Sequence, residues 1–285
     1  MEHRFVDANG VRLHLVQAGD GPPLVLLHGF PQTWLMWRAV LPALAARYRV
    51  SAVDLRGYGD SDKPPAGYDK GTMAADVVAL LDVLGHRRAL IVGHDRGARV
   101  ARRLGLDHPE RAVGLVLLDI LPLEHVYARM DHRAALSYWH WLFHLVPELP
   151  EQLIRSNEEA YLRAFFGRSP AILADGEALA EYLRCFRLPG ALEASLADYR
   201  TAYAEDRPRY LADRAAGRML AVPTLLLWGG ASRLGGQPVL EIWREVATDV
   251  RGEEVPDCGH YVAEERPRVV IDRVLDFAGE RFAAG

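Results

Sequence analysis

The stretch Ala89-Leu90-Ile91-Val92-Gly93-His94-Asp95-Arg96-Gly97-Ala98-Arg99 decides how this chain is read. The apolar run Ala89 to Val92 has the character of a buried strand, and the residues from Arg96 to Asp107 have helical spacing. Between them Gly93-His94-Asp95-Arg96-Gly97 forms G-x-D-x-G, the nucleophile-elbow pattern with aspartate in place of serine. Glycines flank Asp95 because so tight a turn brings backbones together where a side chain would clash. An aspartate that merely caps the helix is the plain alternative; strand, glycines and helix falling in register argue against it.

A carboxylate attacks esters poorly, but it displaces a leaving group from saturated carbon and forms an alkyl-enzyme ester. Water must then attack the carboxyl carbon of Asp95, which calls for a general base and for donors to the developing oxyanion. His260, in Pro256-Asp257-Cys258-Gly259-His260-Tyr261 after the last expected strand, is the candidate base, and it completes the chain order nucleophile, acid, histidine. The loop Trp228-Gly229-Gly230-Ala231-Ser232-Arg233-Leu234-Gly235-Gly236 holds no carboxylate, whereas Leu117-Leu118-Asp119 ends a strand in one. Asp119 is therefore the candidate orienting acid, with a helix cap or a structural ion pair as its plain alternative. His28-Gly29-Phe30-Pro31 follows another strand, so the amides of Phe30 and Arg96 are the expected oxyanion donors, and His28 is expected to pack the loop.

Arg96 and Arg99 lie three apart in the first turn of the helix after the elbow, so they share a face. A guanidinium fork matches a carboxylate with two parallel hydrogen bonds, and the helix N-terminus adds partial positive charge. Each charge-assisted bond contributes roughly 1.5 to 3 kcal/mol, enough for a pair to orient a small acid. The expected partner is a small anionic substrate. The competing expectation is that both arginines only bridge acidic neighbours, as Arg102 and Arg103 are expected to do with Asp107 or Glu110.

Further strands are expected at Pro23 to Leu27, Val50 to Val53, Gly114 to Leu118, Pro223 to Trp228 and Arg251 to Val255, and further helices at Trp34 to Ala46, Thr72 to Leu84 and Pro267 to Phe282. This alternation predicts an α/β fold with a mostly parallel central sheet and helices on both faces. Residues 123–215 have helical spacing and no convincing strand, so they are expected to form a helical cap inserted into a core made of 1–122 and 216–285. The 285 residues suffice for such a core, and 34 basic against 38 acidic residues leave a net charge of only −4. That balance offers no electrostatic footprint for nucleic acid or an anionic membrane. Cys185 and Cys258 lack CxxC spacing, and the start Met1-Glu2-His3-Arg4-Phe5 lacks the apolar run of a signal peptide, so a soluble, cytoplasmic protein is expected.

Taken together, these residues resemble the fluoroacetate dehalogenases, a haloacid-hydrolysing branch of the α/β hydrolases, over nearly the whole chain. The resemblance rests on His28-Gly29-Phe30-Pro31-Gln32, Asp54-Leu55-Arg56-Gly57-Tyr58-Gly59, Gly93-His94-Asp95-Arg96-Gly97-Ala98-Arg99, Leu118-Asp119-Ile120, Tyr138-Trp139-His140-Trp141, Asp198-Tyr199-Arg200 and Gly259-His260. It implies that Arg96 and Arg99 hold the substrate carboxylate, that His140, Trp141 and Tyr199 donate hydrogen bonds to the departing halide, and that the protein is a homodimer. Departures from the family lie at Ala98, Arg168-Ser169-Pro170 and Tyr203-Ala204-Glu205-Asp206. An epoxide hydrolase with the same aspartate is the alternative, with Tyr138, Tyr182, Tyr199 and Tyr203 available to protonate the ring; Arg96 stands where that group typically places Trp. A silent ligand-binding member of the fold is a third. No cofactor or metal is implied, since a carboxylate and a histidine suffice, and His140-Trp141-Leu142-Phe143-His144 lacks the glutamate of H-E-x-x-H.

Overall fold

Side chains alternate across a strand, and the short apolar runs of this chain use both faces. Leu24 and Leu26 join one buried cluster with Leu90, Val92, Val116 and Leu118, while Val25 and Leu27 join the other with Ile91, Leu115 and Leu117. Such strands are stable only between two helical layers, where each fully buried Leu or Val contributes about 1.5–3 kcal/mol. The structure, a computed structural model, describes residues 1–167 and 169–283, so Arg168 lies outside the described residues.

One sheet contains β1 (Glu2–Ala8), β2 (Val11–Ala18), β3 (Pro23–Leu27), β4 (Arg49–Val53), β5 (Ala89–His94), β6 (Ala112–Leu118), β7 (Thr224–Gly229) and β8 (Val250–Val255). Their spatial order is β1-β2-β4-β3-β5-β6-β7-β8, with β1, β2 and β4 paired antiparallel and every other pair parallel. The six expected strands are present. β1 and β2 are additional, because they form an edge hairpin in which exposed and buried residues mix, rather than an apolar run.

The helices Lys70–Val83, Arg96–Asp107 and Pro267–Ala283 stand where their periodicity put them. The expected helix from Trp34 to Ala46 is broken into Trp34–Trp37 and Leu41–Ala45. Pro42 supplies the reason, since it has no N–H to donate and its ring crowds the carbonyl four residues back. Between β6 and β7 the described residues are helical from Leu123–Ala128 to Arg207–Ala215, with a π-helical turn at Ala202–Asp206 that takes in Tyr203-Ala204-Glu205-Asp206. Both cysteines are free and buried, and among the described residues no helix is long and apolar enough to cross a membrane.

β3 lies between β4 and β5, so the chain leaves β3 toward one side of the sheet and returns on the other. The crevice at the carboxyl ends of β3 and β5 is where an open α/β sheet offers a site. The loops after β3, β5, β6, β7 and β8 carry Phe30, Asp95, Asp119, Arg233 and His260, and all five residues line one cavity.

Candidate active site

Asp95 sits between β5 and the helix Arg96–Asp107 with φ 46°, ψ −110°, a conformation non-glycine residues rarely adopt. Its neighbours explain how the strain is held. A Cβ on Gly93 would stand 2.6 Å from the backbone of Gly97, and one on Gly97 would stand 2.4 Å from the Leu27 carbonyl oxygen. These glycines let the turn close against β3, and the closed turn presents the carboxylate to the cavity.

The Phe30 amide, one of the two donors expected to serve an oxyanion, donates to Asp95 Oδ1 at 3.2 Å. The Arg96 amide opens the helix and has no protein acceptor among the described residues. His28 is structural, as expected: its Nε2 accepts from the Leu55 amide at 3.0 Å, and its Nδ1 stands 2.9 Å from the Gly29 carbonyl oxygen.

His260 Nδ1 lies 2.6 Å from Asp119 Oδ2, while Asp119 Oδ1 accepts from the Gly229 amide at 2.9 Å. The other ring nitrogen, Nε2, faces Asp95 Oδ2 at 3.9 Å. The three residues expected to share the chemistry are thus brought together from three loops. Burial pushes the His260 pKa down, but the hydrogen bond and charge of Asp119 and the charge of Asp95 outweigh it and hold the imidazole above its ordinary value. Burial likewise pushes the Asp95 carboxyl up, and His260, His94, Arg96 and Arg99 outweigh it, so the group lies below the usual carboxylate range.

Two residues that carried no role in the sequence brace this centre. His94 Nε2 donates to the His260 carbonyl oxygen at 2.9 Å, with the two rings 4.7 Å apart. Burial, helped by the charge of His260, lowers its pKa to about 4, so it stays neutral. Glu265 accepts from the amides of Gly259 and Tyr261 at 2.6 and 3.2 Å and ties both sides of His260 into one loop. His94 was visible in the elbow motif; nothing local marks Glu265.

The arginine pair divides. Arg99 lines the cavity, is 4% exposed, donates only to the Leu121 carbonyl oxygen at 3.3 Å and leaves its Nε without a partner. Among the described residues no carboxylate pairs with it, and its guanidinium lies 5.1 Å from the centre of the Trp141 ring. Burial and the charge of Arg96 lower its pKa. Arg96 does not line the cavity, which corrects the expectation that both forks face the substrate. Its Nε donates to Asp198 Oδ2 at 3.0 Å, its Nη2 bonds Asp198 Oδ1 and the Asp198 carbonyl oxygen, and it stacks 4.3 Å over Tyr199. Asp198 also takes Lys70 and accepts from the Tyr58 hydroxyl at 2.7 Å. Arg102 pairs with Glu124 at 2.8 and 2.9 Å, a partner neither expected acid supplied, and Arg103 bonds Asp107 and Asp213.

His140, Trp141 and Tyr199 all reach the cavity, which measures about 200 Å³, together with Tyr138, Phe165 and Arg233. The Trp141 Nε1 and the Tyr199 hydroxyl have no protein hydrogen-bond partner among the described residues. Burial, then the charges of His144 and Arg233, drive the His140 pKa well below its ordinary value, so a neutral ring offers one N–H. Of the other tyrosines, Tyr138 lines the cavity, Tyr182 donates to Glu264 at 3.0 Å, and Tyr203 is exposed beside Tyr127.

Residues 22–267 match the alpha/beta hydrolase fold family. The chain is 40% identical over 282 residues to the soluble epoxide hydrolase of Corynebacterium sp. strain C12, covering 96% of each. It is 36% identical over 276 residues to the fluoroacetate dehalogenase of a Burkholderia species, covering 93% of this chain and 90% of that one. The solved structure of the epoxide hydrolase CorEH without ligand superposes with a TM-score of 0.91 at 38% identity, covering 98% of this chain and 99% of the other. Relatives named for either activity thus resemble this chain over nearly its whole length.

Proposed function

Since the chain belongs to the alpha/beta hydrolase fold family, we propose that it hydrolyses short 2-haloacids, of the fluoroacetate or chloroacetate type, to the 2-hydroxy acid and halide. The observation that carries this reading is Arg99, a buried guanidinium with no carboxylate partner among the described residues, in the same cavity as Asp95. Burying an unpaired charge costs several kcal/mol, and an anionic substrate supplies the missing partner.

In this reading the α-carboxylate sits on Arg99. Asp95 Oδ2 forms a bond to the halogen-bearing carbon, and the carbon–halogen bond breaks with its electron pair on the halide. His140, Trp141 and Tyr199 solvate the charge that grows on the leaving group. Water then attacks the Asp95 carboxyl carbon while His260 Nε2, oriented by Asp119, takes its proton; collapse of the tetrahedral centre returns the carboxylate and the hydroxy acid. The Phe30 and Arg96 amides serve the oxyanion, and the Arg96 guanidinium acts through its field on Asp95 rather than as a clamp. The helices over the site, within 123–215, act as the cap.

The second reading, an epoxide hydrolase, is favoured by the unpartnered Tyr199 hydroxyl and by Tyr138, which could protonate an opening ring. Ion-selective detection of fluoride and chloride from matched haloacetates, beside diol formation from styrene oxide, separates the two. Turnover of the epoxide without halide release would replace the first reading by the second.

A further inference from the structure

One charged residue of the cavity has no part in the reaction above. Arg233 follows β7 in a loop that holds no carboxylate, and its side chain lines the cavity with Asp95, Arg99 and His260. Its Nε donates to Ser137 Oγ at 2.8 Å, and its guanidinium lies 5.0 Å from the centre of the Tyr138 ring. Among the described residues no carboxylate pairs with it, and its two terminal nitrogens have no protein acceptor. Its charge is felt at His140 and His260, so it acts within the same field as the reacting groups. A planar fork with one edge anchored and the other open is a pre-set partner for a second carboxylate. The cavity measures about 200 Å³, well above the roughly 10–15 Å³ that one water needs on the same measure.

We propose that Arg233 forms a second carboxylate subsite, so that four-carbon 2-halo dicarboxylates of the halosuccinate type are taken in preference to monocarboxylates of the same length. The proposal rests on the haloacid reading for its chemistry, with Arg99 holding the carboxylate next to the reacting carbon and Arg233 the distal one. The competing role is a latch that joins the β7 loop to Ser137.

The test compares wild type, Arg233→Met and Arg233→Lys in two assays. In the first, kcat/KM is measured for 2-chlorosuccinate and 2-chlorobutyrate. The expected result is a ratio favouring the dicarboxylate that falls about tenfold or more in Arg233→Met, mainly through KM, with Arg233→Lys between. A ratio that Arg233→Met leaves unchanged, whether both substrates lose equally or neither does, overturns the subsite. In the second, calorimetry follows succinate and butyrate. Tighter succinate binding that depends on Arg233 supports the subsite even if no haloacid releases halide, an outcome that would remove the haloacid reading alone; equal binding of the two acids overturns the subsite.

Discussion

His260 Nε2 stands 3.9 Å from Asp95 Oδ2, while the same ring is anchored through Nδ1 to Asp119 at 2.6 Å. The imidazole faces Asp95 Oδ2, and Oδ1 is turned toward the Phe30 amide. That division suits a two-step reaction in which one oxygen bonds carbon and the other becomes the oxyanion.

Replacing His260 by Gln should leave the first step running and stall the second. We expect a burst of about one halide per site, then accumulation of an enzyme heavier by a carboxymethyl group esterified to Asp95, visible in intact-protein mass spectra. In wild type, a single turnover in heavy-oxygen water should place the label in Asp95 before product. Label found only in product would replace the covalent route by direct attack of water.

Arg99→Met should separate stability from activity. The substitution removes an unpaired buried cation and keeps most of the volume, so the melting temperature of ligand-free protein should rise by a few degrees. Haloacetate kcat/KM should fall by about 10²-fold, from loss of a bidentate charge-assisted pair. A lower melting temperature would show that the guanidinium has a structural partner.

Asp198→Asn should destabilise the fold. It strips one buried carboxylate from Arg96, Lys70 and the Tyr58 hydroxyl together, and breaking a buried pair costs about 3–5 kcal/mol. Chemical denaturation would measure it; a change under about 1 kcal/mol would refute the network's structural role.

Tyr199→Phe and Trp141→Phe each remove one donor aimed into the cavity. Fluoride is the poorer leaving group and depends more on solvation of its growing charge, so fluoroacetate turnover should fall by about 10²–10³-fold and chloroacetate turnover by less. Equal losses would place these groups in binding rather than in halide departure.

The pH dependence should differ between the steps. Asp95 lies below the usual carboxylate range, so the halide burst should persist as pH falls through about 4. Ester hydrolysis needs neutral His260, whose pKa is raised, and should fall as pH drops through that pKa. Esterification removes the Asp95 charge that helps hold His260 protonated, so the pKa seen in ester hydrolysis should lie below that of free-enzyme His260 measured by NMR. For stability the signs are opposite. The raised His260 contribution is complete below about 6.5 and lost as pH rises through the folded pKa; the depressed Asp95 contribution is present above about 3.9 and lost as pH falls through the folded pKa.

Short-range pattern was enough for much of this molecule. The apolar runs, the glycines about Asp95 and the helical spacing after it are local constraints of backbone sterics and side-chain periodicity, so the six parallel strands, the elbow and the positions of Asp119 and His260 could be read in order along the chain, while the mixed edge hairpin β1–β2 could not. The partners of the arginines could not. Arg96 and Arg99 look alike in sequence, yet Asp198, 102 residues away, takes the first and no carboxylate among the described residues takes the second. Glu265 bracing the base loop and Arg233 entering the cavity are decisions of the same kind. Which buried charge is neutralised and which is left open depends on what the folded helices bring within about 4 Å, because the attraction that repays desolvation is gained only at contact distance.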